Sequence, residues 1–127
     1  MATKPKPPTY VYNAQVLSVY DGDTFTALLD LGMSVSMKTS CRLVGLDTPE
    51  MKGKSELEKA LAKKAQARHA ELILGKTVVL HSVATPDKYG RLLVDAWIGD
   101  VHVNQILIDE KLARPYDGGT KSDWSIQ

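Results

Sequence analysis

From Tyr10 onward, apolar and polar positions trade places with the short period of β structure. Val11, Gln15 and Leu17 lead to Tyr20, where Asp21-Gly22 predicts a turn. Thr24 to Leu31 reads as a second strand, and Leu31-Gly32 opens the next turn. Met33, Val35 and Met37 then alternate with Ser34, Ser36 and Lys38, which predicts a half-buried third strand. Cys41 to Leu46 extends it, and Gly45 marks a bulge or a close backbone approach. A long, bent strand of this kind commonly closes a small barrel. Asp47-Thr48-Pro49-Glu50 leaves the sheet because Pro49 has no N–H for a ladder bond, and Met51 to Lys54 forms a short polar loop.

The period then lengthens to that of a helix. Ser55 and Glu58 stand at capping-box spacing and Gly75 supplies the stop, so the helix between them runs about 30 Å. Leu57, Leu61, Ala65, Leu72 and Ile73 are expected on its apolar side, with lysines opposite. His69, near the seam, reads as a packing or surface histidine, since no second His or Cys stands at metal-ligand spacing from it. Strands resume over Thr77 to Val83 and Arg91 to Ile98, joined by a loop through Pro86 and Gly90. After a turn at Gly99-Asp100, Val103, Ile106, Leu107 and Glu110-Lys111-Leu112 fit a short amphipathic helix. Tyr116 to Gln127 reads as irregular, with Trp124 covering an edge of the barrel. Five strands, a long helix between the third and fourth and a shorter C-terminal helix predict an α+β fold, the five-stranded Greek-key barrel of the OB type. Three prolines make residues 1–9 an extended, flexible arm before one domain over 10–127.

Composition changes this picture little. The 127 residues suffice for one core without disulfides or a structural metal, and Cys41, the only cysteine, allows no intrachain disulfide and no Cys-based zinc site. It lies in an apolar run and is expected to be buried. A formal charge of +1 excludes a strongly basic, tail-driven DNA binder but not an enzyme with a local phosphate site. Six basic residues against two glutamates between Lys52 and Arg68 form a local cluster, read as a solvated helix face. The amino-terminal run has no apolar h-region, and no stretch approaches the ~18 apolar residues of a membrane span. A cytoplasmic monomer without a membrane partner is expected.

Three runs carry chemistry: Asp21-Gly22-Asp23-Thr24, Arg42 through Glu50, and Asp87-Lys88-Tyr89-Gly90-Arg91. Phosphodiester hydrolysis needs charge neutralised on the phosphorane oxygens and water activated. Asp23 and Asp47 can offer hard oxygen ligands to Ca²⁺ or Mg²⁺, with a backbone carbonyl and waters completing the shell. Glu50 is placed to hold water or accept its proton. Arg42 and Arg91 offer paired planar donors to a phosphate. Each piece also has a bland reading: a turn for Asp21 to Thr24, a helix entry for Asp47 to Glu50, a sheet-rim cation for Arg42, and an ion pair with Asp87 or Asp95 for Arg91. The combination is what points to a nuclease.

That combination resembles the staphylococcal nuclease family of thermonuclease-like domains, from about Asn13 to Tyr116 and including Val103-Asn104. The resemblance implies an OB-fold barrel and Ca²⁺-dependent cleavage of DNA and RNA at the 5′ P–O bond, leaving 3′-phosphate ends. It makes Asp23 and Asp47 carboxylate ligands and Thr48 a main-chain carbonyl ligand, with Asp21 an acid behind them. It makes Glu50 the proposed general base, and has Arg42 and Arg91 clamp the scissile phosphate. Lys88 and Tyr89 would contact a neighbouring phosphate, and Tyr116 the base pocket. The chain departs from the type member in a shorter segment after Glu50 and in a short carboxyl end. The competing reading is a catalytically silent OB-fold module binding nucleic acid or protein. Silenced relatives lose the acids or arginines, which are all present here. With two Trp, five Tyr and one Phe the chain is also poor in the stacking platforms of passive single-strand binders.

Overall fold

A computed structural model describes residues 9–53, 55–83 and 87–116. The chain runs β1 (Thr9–Val19), β2 (Thr24–Asp30), β3 (Ser36–Leu43), β4 (Leu46–Asp47), α1 (Glu56–Ile73), β5 (Thr77–Val83), β6 (Leu92–Ile98), β7 (Val101–His102), α2 (Val103–Asp109) and β8 (Arg114–Pro115). Five long strands form a closed barrel. The antiparallel order β3-β2-β1-β5-β6 closes on itself through a parallel pairing of β3 with β6. The expected OB-type α+β barrel is therefore present, with α1 between its third and fourth long strands. No helix among the described residues is long and apolar enough to cross a membrane.

The core is built from the inward alternation of the strands: Ala14 and Val16 on β1, Phe25, Ala27 and Leu29 on β2, Cys41 and Leu43 on β3, Val78 and Leu80 on β5, Val94 and Ala96 on β6. On β1 Ala14 and Val16 point inward and Val11 and Leu17 outward by simple alternation, and a register shift between Val16 and Ser18 then brings Val19 round to the core. One expected face is corrected. The alternation at Met33, Val35 and Met37 is not a half-buried strand. Met33 and Ser34 form the turn, β3 begins only at Ser36, and all three apolar side chains are exposed because this end of the hairpin overhangs the barrel.

The long strand expected to run through Leu46 is also broken. Val44 and Gly45 interrupt it, and Leu46–Asp47 pairs instead with Arg114–Pro115, a short strand the sequence pattern did not announce. The tail reading at Trp124 and the Pro86 part of the loop lie outside the described residues.

Helix α1 starts where the capping spacing places it, with Ser55 Oγ accepting the Glu58 N–H at 3.1 Å. Its buried stripe is Ala62, Ala65, His69 and Ile73. Leu57 is exposed, since its phase lies roughly 120° round the helix from that stripe. Arg68 ties α1 to α2 through a two-pronged pair with Glu110, both contacts at 2.8 Å, and bonds Glu71 at 2.7 Å.

Candidate active site

The β1–β2 turn is shaped by its own acid. Asp21 Oδ1 accepts the N–H groups of Asp23 and Thr24 at 3.0 and 2.8 Å, the local bonding that makes Asp a turn residue. Thr24 Oγ1 donates to Asp23 Oδ1 at 3.0 Å. Helix α1 holds the turn from behind. His69 is fully buried, edge-on to the Phe25 ring, and lies 2.8 Å from the Asp21 carbonyl through Nδ1. A carbonyl only accepts, so Nδ1 carries the proton. Burial lowers the His69 pKa against the opposing pull of that carbonyl and of Asp23, and the ring stays neutral with Nε2 as a buried acceptor lacking a partner. Gly22 completes the fit: a Cβ there would meet Ala65 Cβ and Thr48 Cγ2 at 2.9 Å.

Register then sets the arginines. Thr24 pairs with Arg42 across β2–β3, and Arg42 with Leu93 across β3–β6. The acidic turn, Arg42 and the residues just before β6 therefore meet at one end of the barrel. Arg42 Nη2 lies 3.4 Å from Asp23 Oδ2. Its other donors have no partner among the described residues. Asp87 fixes Arg91: its Oδ2 accepts from Nε at 2.7 Å, and its Oδ1 accepts the N–H groups of Tyr89 and Arg91 at 2.9 Å. Burial works to raise the Asp87 pKa, but these bonds outweigh it and hold the carboxyl below its ordinary value. The ion pair weighed as the bland reading of Arg91 is thus formed, but through Nε, and the two terminal nitrogens make no hydrogen bond or ion pair among the described residues, with the Tyr89 ring centre 5.3 Å from the guanidinium carbon. Asp95 pairs with His102 instead.

Asp47 and Thr48 are buried where β4 pairs with β8, with Arg114 Nη2 3.8 Å from Asp47 Oδ2. Glu50 is exposed beyond Pro49. Its backbone N–H donates to Glu58 Oε2 at 3.3 Å, and its carbonyl accepts the Gly53 N–H at 3.0 Å. Glu58 therefore reaches back to residue 50, beyond the cap at Ser55. A Cβ on Gly53 would meet Glu58 Cδ at 2.5 Å, so a larger residue there would push the Glu58 side chain away from the Glu50 N–H.

One open cleft of about 500 Å³ gathers these groups. Asp21, Asp23, Arg42, Asp47, Thr48 and Glu50 line it, joined by Lys88, Tyr89, Arg91 and Tyr116. Every residue singled out from the sequence thus lies on its wall. Tyr20, Met51 and Lys52 also line it and were not anticipated. Neither were the supporting roles of His69 and Glu58. The Asp87–Arg91 ion pair is among the sequence expectations, but as an alternative to phosphate binding, whereas here it orients Arg91 within the cleft wall. Tyr116 donates its N–H to the Gly45 carbonyl at 3.1 Å and lines a second, more apolar cavity of about 490 Å³ with Arg42, Leu43 and Leu93.

The acids are crowded. The Asp21 pKa is pushed up to about 7, first by burial and then by the hydrogen bond and charge of Asp23. A hard divalent cation near Asp23 and Asp47 would relieve that crowding. Among the described residues no three His, Cys, Asp or Glu side chains form a ready metal cage. A cation held by Asp23 and Asp47 would have to complete its shell with other oxygens, water among them.

Residues 40–124 match the family model of staphylococcal nuclease homologues. An uncharacterized protein of Bacillus anthracis is 32% identical over 95 residues, covering 73% of this chain and 42% of that protein. The matched stretch thus spans less than half the length of that relative. With two thirds of the sequence inside the family match and the family's barrel formed, the chain belongs to the staphylococcal nuclease homologues.

Proposed function

We propose that this protein is a metal-dependent phosphodiesterase that hydrolyses DNA, and RNA as well, leaving 3′-phosphate ends. The observation that carries the reading is the single cleft in which Asp23, Asp47, Glu50, Arg42 and Arg91 converge from four separate segments. A barrel without chemistry has no need of two guanidiniums facing three acids.

Asp23, Asp47 and the main-chain carbonyl of Thr48 would hold the cation, Ca²⁺ in preference to Mg²⁺ or another divalent ion. When bound it supplies positive charge beside the phosphate. Arg42 and Arg91 donate to the non-bridging oxygens and remain charged as negative charge builds there. Asp87 holds Arg91 through Nε, so its paired terminal nitrogens are aimed before substrate arrives. Glu50 accepts the proton of the attacking water, its backbone fixed from both sides by Glu58 and Gly53. The water oxygen bonds to phosphorus as the bond to the 5′ oxygen breaks; that oxygen takes a proton from solvent and leaves as a hydroxyl, and the phosphate stays on the 3′ side. Lys88 and Tyr89 meet the neighbouring phosphate, and Tyr116 the base.

Incubating the purified protein with plasmid, single-stranded DNA and RNA in Ca²⁺, Mg²⁺ or chelator, with end-group analysis, tests this reading. Cleavage in Ca²⁺ and none in chelator is expected, with Arg42→Ala and Arg91→Ala each slower by about 10²-fold or more. Undiminished cleavage by Arg91→Ala would overturn the assignment, as would tight binding without turnover in excess Ca²⁺.

A further inference from the structure

Two features take no part in that chemistry: the ring of Tyr20 and the basic run along α1. Tyr20 is 61% exposed and lines the cleft. Its backbone is fixed, with the N–H donating to the Thr24 carbonyl at 3.0 Å. Among the described residues its ring meets no other ring or cation and its hydroxyl no hydrogen-bond partner. Tyr89 differs, since Lys88 and Arg91 lie 5.2 and 5.3 Å from its ring centre.

The basic run adjoins Tyr20 by a specific bond. Gln66 Nε2 donates to the Val19 carbonyl at 3.2 Å, which seats that edge of α1 beside the turn. Lys63 and Lys59 precede Gln66 by three and seven positions and share its edge. Lys63 makes no ion pair among the described residues, and Lys59 only an exposed pair with Glu56 at 3.6 Å, too weak to neutralise it. Lys52 continues the positive charge into the cleft wall. Because β2 and β6 flank β3, Arg42 lies between the Tyr20 turn and the Tyr89 loop, with Tyr20 on the β1 side of its turn, about 14 Å from β6 across three strand spacings.

Resting on the reading of the cleft as a phosphodiester site, we propose that Tyr20, Lys52, Lys59 and Lys63 form a second nucleic-acid subsite. A base of the single strand leaving the cleft stacks on Tyr20, and the phosphates beyond it lie along the α1 edge. The occupant follows from the chemistry. The lysines match a backbone anion, the bare ring matches a base face, and a paired duplex does not offer that face.

Binding measured by anisotropy in chelator, where nothing is cut, tests this with labelled single strands of about 4 and about 12 nucleotides. Tyr20→Ala should raise Kd for the longer strand about 5- to 100-fold, and Tyr20→Phe should restore it. The Lys59→Gln/Lys63→Gln variant should lower the salt slope for the longer strand by about 0.7 for each phosphate it no longer neutralises. The shorter strand, which does not reach the α1 edge, should show no change in slope and a smaller loss with Tyr20→Ala, and Tyr20→Ala should leave duplex affinity unchanged. Equal losses on short and long strands, or an unchanged slope in the lysine variant, would overturn the subsite. A wild type that binds in this length-dependent way but cuts nothing in Ca²⁺ would defeat the hydrolytic reading alone. One that cuts but shows no Tyr20 effect would defeat the subsite alone.

Discussion

Asp21 shows how one side chain can shape a turn and strain it electrostatically. Its carboxylate accepts two backbone N–H groups, and its own carbonyl takes the His69 proton. Yet burial, reinforced by Asp23, lifts its pKa from the ordinary 3.8 to about 7. Between those two values the folded state holds a proton that the unfolded chain gives up. The stability this group contributes is therefore full below 3.8 and is lost as the pH rises through about 7. Asp21→Asn keeps the oxygen that organises the turn and removes the charge. In metal-free buffer its Tm should match the wild type near about pH 4 and exceed it by a margin that grows towards about pH 8. Thermal melts across that range check this. A margin that stays flat or changes sign would show that the turn accommodates the ionised acid at no cost.

Among the elements, the β2–β3 hairpin has the least suitable residues for its geometry. Met33 and Ser34 hold φ values of 53° and 62° at the centre of a turn closed by the Val35 N–H on the Gly32 carbonyl, at 2.9 Å. Two successive left-handed residues are what a type I′ turn requires, and Asn-Gly suits it best. Met33→Asn with Ser34→Gly should stabilise the protein by about 1 kcal/mol, read as a higher urea midpoint at constant slope. No change in the midpoint would mean that the exposed tip already relaxes without strain. The same hairpin shows where sequence reading stops. Alternation at Met33, Val35 and Met37 reports a strand-like pattern but not whether a barrel lies beneath it. In β1, likewise, no residue type announced the register shift that turns Val19 toward the core. Breakers and caps were more legible. Asp21-Gly22, Ser55 with Glu58, and Gly75 act through bonds made within a few residues, so they could be placed without the fold. The cleft residues were legible as a set, three acids and two arginines in runs that resemble one family's, since each alone has a bland reading. Tyr20, His69 and Glu58 were not, since their roles depend on what packs against them from distant segments.

For the molecule as a whole, the closing seam of the barrel and the cleft share a single stretch of chain. Leu43 donates its N–H to the Asp23 carbonyl at 2.8 Å, Val44 to the Val94 carbonyl at 2.9 Å, and Tyr116 to the Gly45 carbonyl at 3.1 Å. Residues 42–47 thus fasten the acidic turn, β6 and the segment carrying Tyr116 while presenting Arg42 and Asp47 themselves. Buried Asn104 on α2 secures this crossing: its Oδ1 accepts the Ala96 N–H at 2.9 Å, and its Nδ2 donates to the carbonyls of Val44 and Val94 at 3.0 and 3.2 Å. The Val94 carbonyl keeps its bond from Val44 if the amide is removed, but the Ala96 N–H and the Val44 carbonyl would be stranded in the interior. Asn104→Ala should therefore cost about 3 kcal/mol, a fall in Tm of roughly 10 °C for a domain of this size. Because seam and cleft hang from the same residues, melts followed by tryptophan fluorescence and by residual cleavage of an oligonucleotide should move down together. A cleavage midpoint that falls while the fluorescence midpoint holds would mean that the 42–47 stretch can open without the barrel, and that the cleft is a separately folding layer resting on it.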